Sequence, residues 1–460
     1  MCGLVFVLVP RCAVAQVTDD AQRPTVTLTP QDRILILAPH PDDEVLCCGG
    51  LIQSAVAKGL PVRVVFFTYG DNNEWSFIVY RKHPVLMPRE VQSMGLVRHD
   101  EAVAAAKTLG LSPDQLTFLG YPDFGTMAIW KAHWGNQRPF RSMLTRVTAV
   151  PYANAARPGA PYKGDEVLKD LTAVLRTFRP TKLFVSHPGD HMPDHSALYL
   201  FTRVALWDVE ADVTPEVYPY PVHFESWPKP RGYHPDTPLV PPTAFASQTS
   251  WQAYQLAVKE IPRKRAALEA HRTQVGYSAN YLLAFVRPNE LFGDFPVVPL
   301  TASSADELTE EQRKTFVGLE VHLEGRTLAL SIASSSQSLV NPVETSVYIF
   351  GYRTGEPFAS MPKLHVKCGM LGCQSYNQGH KLPQDTLQSS RQEQWLTLRI
   401  PLAVLGNPEY LFTSARTYLG SVPLDRISWR ILELPTQRQS SEPNGSRQVA
   451  SRFSPGASAR

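Results

Sequence analysis

Residues 38–44 read A-P-H-P-D-D-E and crowd His40, Asp42, Asp43 and Glu44 directly after the apolar run R-I-L-I-L. Clustered carboxylates at a partly buried strand end raise one another's pKa and cost stability unless a cation compensates. His40 and Asp43, at i and i+3, can both turn inward across a tight strand-to-helix turn and so offer two metal ligands. A third must come from elsewhere, and the run G-D-H-M-P-D-H supplies Asp190, His191, Asp194 and His195. Two histidines and one carboxylate with an open fourth position form the ligand set of a catalytic zinc hydrolase. The open position holds water whose pKa the metal lowers, and a neighbouring carboxylate can take its proton. Two plainer readings stay open at this point. The first stretch could be an acidic helix N-terminus with Asp42 or Asp43 as its cap, and the second could be a solvated loop.

The surrounding pattern says what must hold these residues. From about residue 32 to 295, strands alternate with helices. R-I-L-I-L is followed by the helical G-G-L-I-Q-S-A-V-A-K-G, then by the strand P-V-R-V-V-F-F-T; later D-E-V-L-K-D-L-T-A-V-L-R-T-F leads into T-K-L-F-V-S. Such alternation predicts a Rossmann-like α/β fold, a mostly parallel sheet sandwiched by helices. Sites in such sheets form at the carboxyl ends of the strands, where both acidic runs fall. From 310 to 436 the period changes to two, as in G-L-E-V-H-L-E-G-R-T-L-A-L-S-I-A and Q-W-L-T-L-R-I-P, which predicts an all-β sandwich. Residues 437–460, rich in Ser, Arg, Gln and Pro, are expected to be disordered.

The 460 residues are too many for one ordinary core. A net charge of +3 argues against a dedicated nucleic-acid binder, which carries a marked basic excess. Residues 1–15 combine an apolar stretch with the small-x-small pattern Ala13-Val14-Ala15, which predicts an export signal lacking its basic start, hence a secreted or periplasmic protein. No other run approaches the length of a membrane span. Cys368 and Cys373 flank a Gly-containing turn and could pair as a local disulfide in an oxidising compartment. Adjacent Cys47 and Cys48 read as small buried residues rather than a redox pair.

A-P-H-P-D-D-E followed by G-G-L-I, with R-H-D-E-A-V-A-A-A-K-T-L-G, L-G-Y-P-D, G-D-H-M-P-D-H-S-A-L-Y-L-F and V-H-F-E-S-W-P-K-P further on, resembles the PIG-L/LmbE family of zinc-dependent N-acetylglucosaminyl deacetylases. The likeness covers about residues 32–295. It implies an LmbE-like fold in which His40, Asp43 and His195 bind Zn2+, with another divalent metal such as Fe2+ able to substitute. It further implies that Asp42 is the general base, that Glu44 orients the turn or caps the helix, and that Arg98 and Asp123 help bind the sugar; a salt-bridge or turn role is the alternative for the last two. One departure stands out. Many relatives carry a histidine three residues before the second-motif ligand, and here that position is Met192. A thioether cannot donate a proton, so His191 takes the role or another donor does. His187 and His223 are expected to pack or line the rim. Trp75, Trp130, Trp134 and Trp227 could stack on sugar rings, Trp130 and Trp134 especially because no apolar periodicity surrounds them. The resulting expectation is a de-N-acetylase of an N-acetylated sugar or glycan. Its rivals are an amidase on a non-sugar or thiol-conjugate amide and a catalytically weak carbohydrate-binding protein.

Overall fold

The computed structural model describes residues 23–72, 87–300, 302–303, 314–316, 318–333, 343–369, 371–392, 395–419 and 422–435. The export stretch, the tail from 437 and Trp75 lie outside these residues. The chain divides into two compact units that interleave along the sequence. One takes residues up to 118, 180–187 and 215–294; the other takes 119–179, 188–214 and 295 onward.

A five-stranded sheet forms from β1 (Ile34–Ala38), β2 (Val62–Thr68), β3 (Leu116–Tyr121), β4 (Lys182–Ser186) and β5 (Glu216–Tyr220), in the order β3-β2-β1-β4-β5. Ile34 pairs in parallel with Val62 on one side and Lys182 on the other. β1 is therefore central, and all five of its residues are buried, which explains why it reads as an unbroken apolar run. The sequence order reverses between β1 and β4. In doubly wound sheets ligands bind outside the carboxyl ends of the strands at this reversal, here the segments 39–42 and 187–192.

In the first unit, α1 (Asp43–Ala57) leaves the end of β1, and α2 (Pro88–Leu109) ends on Gly110 in the left-handed conformation. In the second, α3 (Thr126–Ala132), α4 (Gly164–Phe178) and α5 (Pro193–Asp208) follow. α4 buries Val167, Leu168, Leu171, Leu175 and Phe178, the i, i+3, i+4 stripe of an amphipathic helix. Back in the first unit, α6 (Glu260–Glu269) and α7 (Arg272–Leu282) precede a strand at Asn289–Asp294 that pairs antiparallel with Ser250–Gln255.

α1 is packed unusually tightly. A Cβ on Gly50 would fall 2.2 Å from the Leu256 side chain, so no larger residue fits. At the same rung an ion pair enters the helix. Lys264 Nζ donates to the Leu46 carbonyl at 2.9 Å and to Glu290 Oε1 at 2.7 Å, and the Glu290 carboxylate accepts from Gly50 N–H (2.7 Å) and Leu51 N–H (3.1 Å). Leu46 C=O and Gly50 N–H are the i−4 and i partners of an ordinary helix; here a buried Lys–Glu pair serves both.

The β-rich part of the second unit is a sandwich. One antiparallel sheet runs through Leu319–Glu324, Thr327–Ala333, Trp395–Pro401 and Gln388–Gln392, and the other through Lys363–Gly369, Val343–Tyr352, Tyr410–Leu419 and Val422–Glu433. Val321, Leu330 and Leu398 of the first sheet share one core with Val347, Ile349, Val366 and Leu411 of the second. Cys368 and Cys373 sit opposite each other on a hairpin and are joined by a disulfide.

Period-two alternation turns Phe350, Phe412 and Trp429 away from this core. Trp130 of α3 meets them there, with ring centroids 5.7, 5.3 and 6.2 Å away, and it stacks on Phe358 at 5.2 Å. Trp130 and Trp134 are both wholly buried. They are structural anchors, and the expectation that they stack on sugar is corrected: Phe201 of α5 meets both, and Phe350, Phe358, Phe412 and Trp429 come from segments more than 200 residues downstream, which local periodicity cannot reveal. Trp227 is buried too, its Nε1–H donating to the Val240 carbonyl at 2.7 Å.

Lys363 lies beneath these tryptophans. Its Nζ donates to the carbonyls of Phe358 and Met361 and sits 4.7 Å from the Trp134 ring centroid and 4.1 Å from that of Phe358. Burial pushes the ammonium down to about 7. A lysine depressed in the fold binds fewer protons than its unfolded counterpart, which titrates at about 10.4, so its burden on stability is full below pH 7 and lifts as pH rises towards 10. Urea midpoints of the wild type and Lys363→Met should accordingly move in the wild type's favour between pH 7 and pH 9. A pH-independent difference would contradict this.

Candidate active site

The turn after β1 is built to present side chains. Thr68 holds the Pro39 carbonyl with both its N–H and its hydroxyl, each at 3.0 Å. Asp42 follows with φ 129°, ψ −30°, a backbone state that costs about 1–3 kcal/mol for a non-glycine residue. Its own N–H donates to Glu44 Oε2 at 2.9 Å, and its carbonyl accepts from Val45 and Leu46 N–H at 3.1 and 3.0 Å. Asp42 is thus the N-cap through its backbone alone; its side chain makes no capping bond. That separates the site reading from the plain helix-cap reading, because the carboxylate points elsewhere.

His40 N–H donates to Asp43 Oδ2 at 3.0 Å, and His40 Nδ1 lies 3.3 Å from the same oxygen. Two donors each about 2.0–2.1 Å from a tetrahedral zinc are about 3.3 Å apart, so this spacing suits co-ligands. Burial pushes the Asp42 carboxyl up to about 7; the Arg98 guanidinium opposes the rise and the Asp43 charge adds to it.

Arg98 is buried in α2. It donates to the carbonyls of Pro41 (2.7 Å) and Gly70 (2.8 Å), with Nη2 3.7 Å from Asp42 Oδ1. Gly70 has φ 63°, and a Cβ there would fall 2.1 Å from the guanidinium. The guanidinium therefore clamps two loops and sets the flank of Asp42. Glu101, one helical turn on, accepts from Thr273 N–H at 2.9 Å and from its hydroxyl at 2.6 Å. This fixes the segment carrying His271, whose Nε2 is 3.0 Å from Glu44 Oε1, both groups being wholly buried. Burial disfavours a charged His271, yet the charge and hydrogen bond of Glu44 hold its pKa above the usual histidine value. His271 carries no motif spacing in A-H-R-T-Q, so nothing in the local sequence marks it.

The loop after β4 belongs to the second unit. Asp190 Oδ1 accepts Met192 N–H at 2.9 Å, and Oδ2 lies 3.2 Å from His195 Nδ1. A carboxylate in this position orients a ligating imidazole through its other nitrogen. Asp194 Oδ2 accepts Phe124 N–H at 2.5 Å, and Oδ1 accepts Thr126 N–H at 3.1 Å together with the Thr126 hydroxyl. Asp123 is buried, whereas His191 is exposed and Met192 half-buried. His187 is buried against Trp251, rings 5.8 Å apart, and His223 Nδ1 is 3.1 Å from the Tyr281 hydroxyl.

His40 and Asp43 in the first unit and His195, Asp123 and Asp194 in the second are all buried. Two imidazoles and a carboxylate are the donor types that fit a zinc-type ion. The Asp194 oxygens already serve three donors.

Residues 35–206 match the family model of the GlcNAc-PI de-N-acetylases, PIG-L. These residues form a PIG-L domain. The chain is similar to a 1D-myo-inositol 2-acetamido-2-deoxy-alpha-D-glucopyranoside deacetylase of Rhodococcus erythropolis, 30% identical over 205 residues that make up 44% of this chain and 60% of the relative. A deacetylase of the same description from Streptomyces avermitilis is 27% identical over 62% of this chain and 94% of its own. The chain spans 60% and 50% of the length of the Rhodococcus relative and of one from Mycobacterium. Among solved structures, the N,N'-diacetylchitobiose deacetylase of Pyrococcus horikoshii aligns at 19% identity with a TM-score of 0.32, over 53% of this chain and 70% of that one. Both acidic runs fall inside the PIG-L domain, which carries His40, Asp43 and His195 alike.

Proposed function

We propose that the PIG-L domain is a zinc-dependent de-N-acetylase that hydrolyses the acetamide of an N-acetylglucosamine-containing sugar or glycan. The observation that carries this reading is the buried His40–Asp43 pair, Nδ1 and Oδ2 3.3 Å apart, beside Asp42, whose side chain makes no capping bond and whose carboxyl burial raises to about 7; we take buried His195 as the third donor. The deacetylase names of the relatives support the acetamido sugar as substrate.

Bound to the three donors, zinc would supply Lewis acidity towards the acetamide carbonyl and acidify water; Fe2+ accepts the same donor types. Asp42 takes the proton of the attacking water, and a carboxyl near neutrality suits that task. Arg98 keeps Asp42 in place through Pro41, and Asp190 keeps the His195 ring in register. The water oxygen bonds to the acetamide carbon, the C–N bond then breaks as a protonated donor gives its proton to the amine nitrogen, and acetate and a free amino sugar leave; Asp42 then loses the water proton to solvent while the donor regains one. We assign that donation to His191, since Met192 has no proton to give, and we assign Asp123 to the sugar hydroxyls. Arg98, bonded to two carbonyls, acts in this scheme by positioning. Export through residues 1–15 belongs to the same proposal, and the Cys368–Cys373 disulfide supports an oxidising compartment. Among the described residues no helix is long and apolar enough to cross a membrane.

The test is metal analysis of the purified protein together with acetate release across a panel of chitooligosaccharides. One equivalent of zinc is expected, with activity lost to a chelator and restored by zinc. Bound metal without acetate from any sugar would discard the sugar reading and direct attention to other amides.

A further inference from the structure

Phe124 is 47% exposed, while Asp123 before it and Thr126 and Met127 after it are buried. Its φ is 57°, in the left-handed region that bulky residues avoid. Asp194 holds it there, one carboxylate oxygen on Phe124 N–H and the other on Thr126. Between them Gly125 is hemmed in: a Cβ would fall 2.5 Å from the Phe140 ring and 2.8 Å from Pro122. The loop cannot relax, and the residue that locks it is the immediate neighbour of His195. A ring that burial would stabilise is thus kept in solvent, on an unfavourable backbone, by the residue adjoining a candidate ligand. Unfavourable backbone states that the surroundings enforce cluster at ligand clamps.

We infer that Phe124 is a specificity-determining platform whose ring face receives the C–H face of the pyranose bearing the acetamido group. The electron-rich face of an aromatic ring attracts such positively polarised hydrogens. This inference rests on the de-N-acetylase reading and adds the element that distinguishes a sugar from an acyclic amide.

The experiment compares N,N'-diacetylchitobiose with N-acetylethanolamine as substrates of the full chain. Phe124→Leu should raise KM for the sugar about tenfold with kcat within about twofold, and lower the sugar-to-acyclic ratio of kcat/KM by a similar factor. Phe124→Tyr should retain the wild-type ratio. Phe124→Gly, which frees the backbone while removing the ring, should behave as Phe124→Leu. An unchanged ratio in Phe124→Leu, or an equal loss on both substrates, overturns the platform. Calorimetric titration with chitobiose separates the two levels of the argument. A wild type that neither binds nor cleaves sugar overturns the substrate reading and the platform with it. Normal sugar turnover and binding that Phe124→Leu leaves intact overturn the platform alone.

Discussion

Asp42→Asn is expected to lower acetate release by about 10²–10⁴-fold, the usual contribution of a positioned general base, with bound metal unchanged. Asparagine keeps the size and branching of the side chain and shares aspartate's enrichment at positive φ, so it adds little to the strain Asp42 already bears at φ 129°. The helix cap is preserved as well, since it is made by the Asp42 backbone. What disappears is the ability to accept a proton. Asp42→Ala tests the same role with less control, because alanine adds strain at that φ. The measurement is initial rate on chitooligosaccharides beside metal content and thermal midpoint. A variant within tenfold of wild type, with metal retained, removes Asp42 from the base role. Loss of metal would instead mean that Asp42 helps hold the ion.

Glu290→Ala is expected to cost about 3–5 kcal/mol of stability, the range seen when one partner of a buried ion pair is removed. Lys264, wholly buried, would be stranded as a charge, and the N–H groups of Gly50 and Leu51 would lose their acceptor. Lys264→Met/Glu290→Met should recover part of the loss, because Gly50 N–H can then close the ordinary helical bond to Leu46. Equilibrium urea unfolding reads both. A cost below about 1 kcal/mol for Glu290→Ala would show that the pair is not needed to hold α1. The connection to chemistry is direct, since α1 begins at Asp43, and any slippage of the helix carries that carboxylate with it.

How far the site was legible in the sequence follows from how local each part is. His40, Asp42 and Asp43 occupy a single turn after an apolar strand, and strand ends in alternating β/α patterns are where sites form, so spacing offered them as candidates and the family resemblance divided their roles. The sandwich was legible for a similar reason: Leu319, Val321 and Leu323 alternate with half-buried Glu320, His322 and Glu324. The supports were not legible. His271 meets Glu44 across 227 residues, Lys264 meets Leu46 across 218, and Glu290 meets Gly50 across 240. None leaves a periodic trace, because each is one polar side chain answering one distant polar group. The tryptophans misled for the opposite reason. Trp130 and Trp134 stand in a polar-looking segment because much of their apolar environment is imported from remote segments.

That importation bears on ancestry and modularity. The stretch recognisable by homology, residues 35–206, includes Trp130, whose cage of Phe350, Phe358, Phe412 and Trp429 is encoded well outside it. The heritable module and the packed module therefore have different borders. Exchanging the downstream sandwich for another in the course of gene fusion would demand aromatic residues at equivalent places, or a simultaneous change at Trp130. The two segments are bound to diversify together, which makes paired substitution at these five positions the record to look for in related chains.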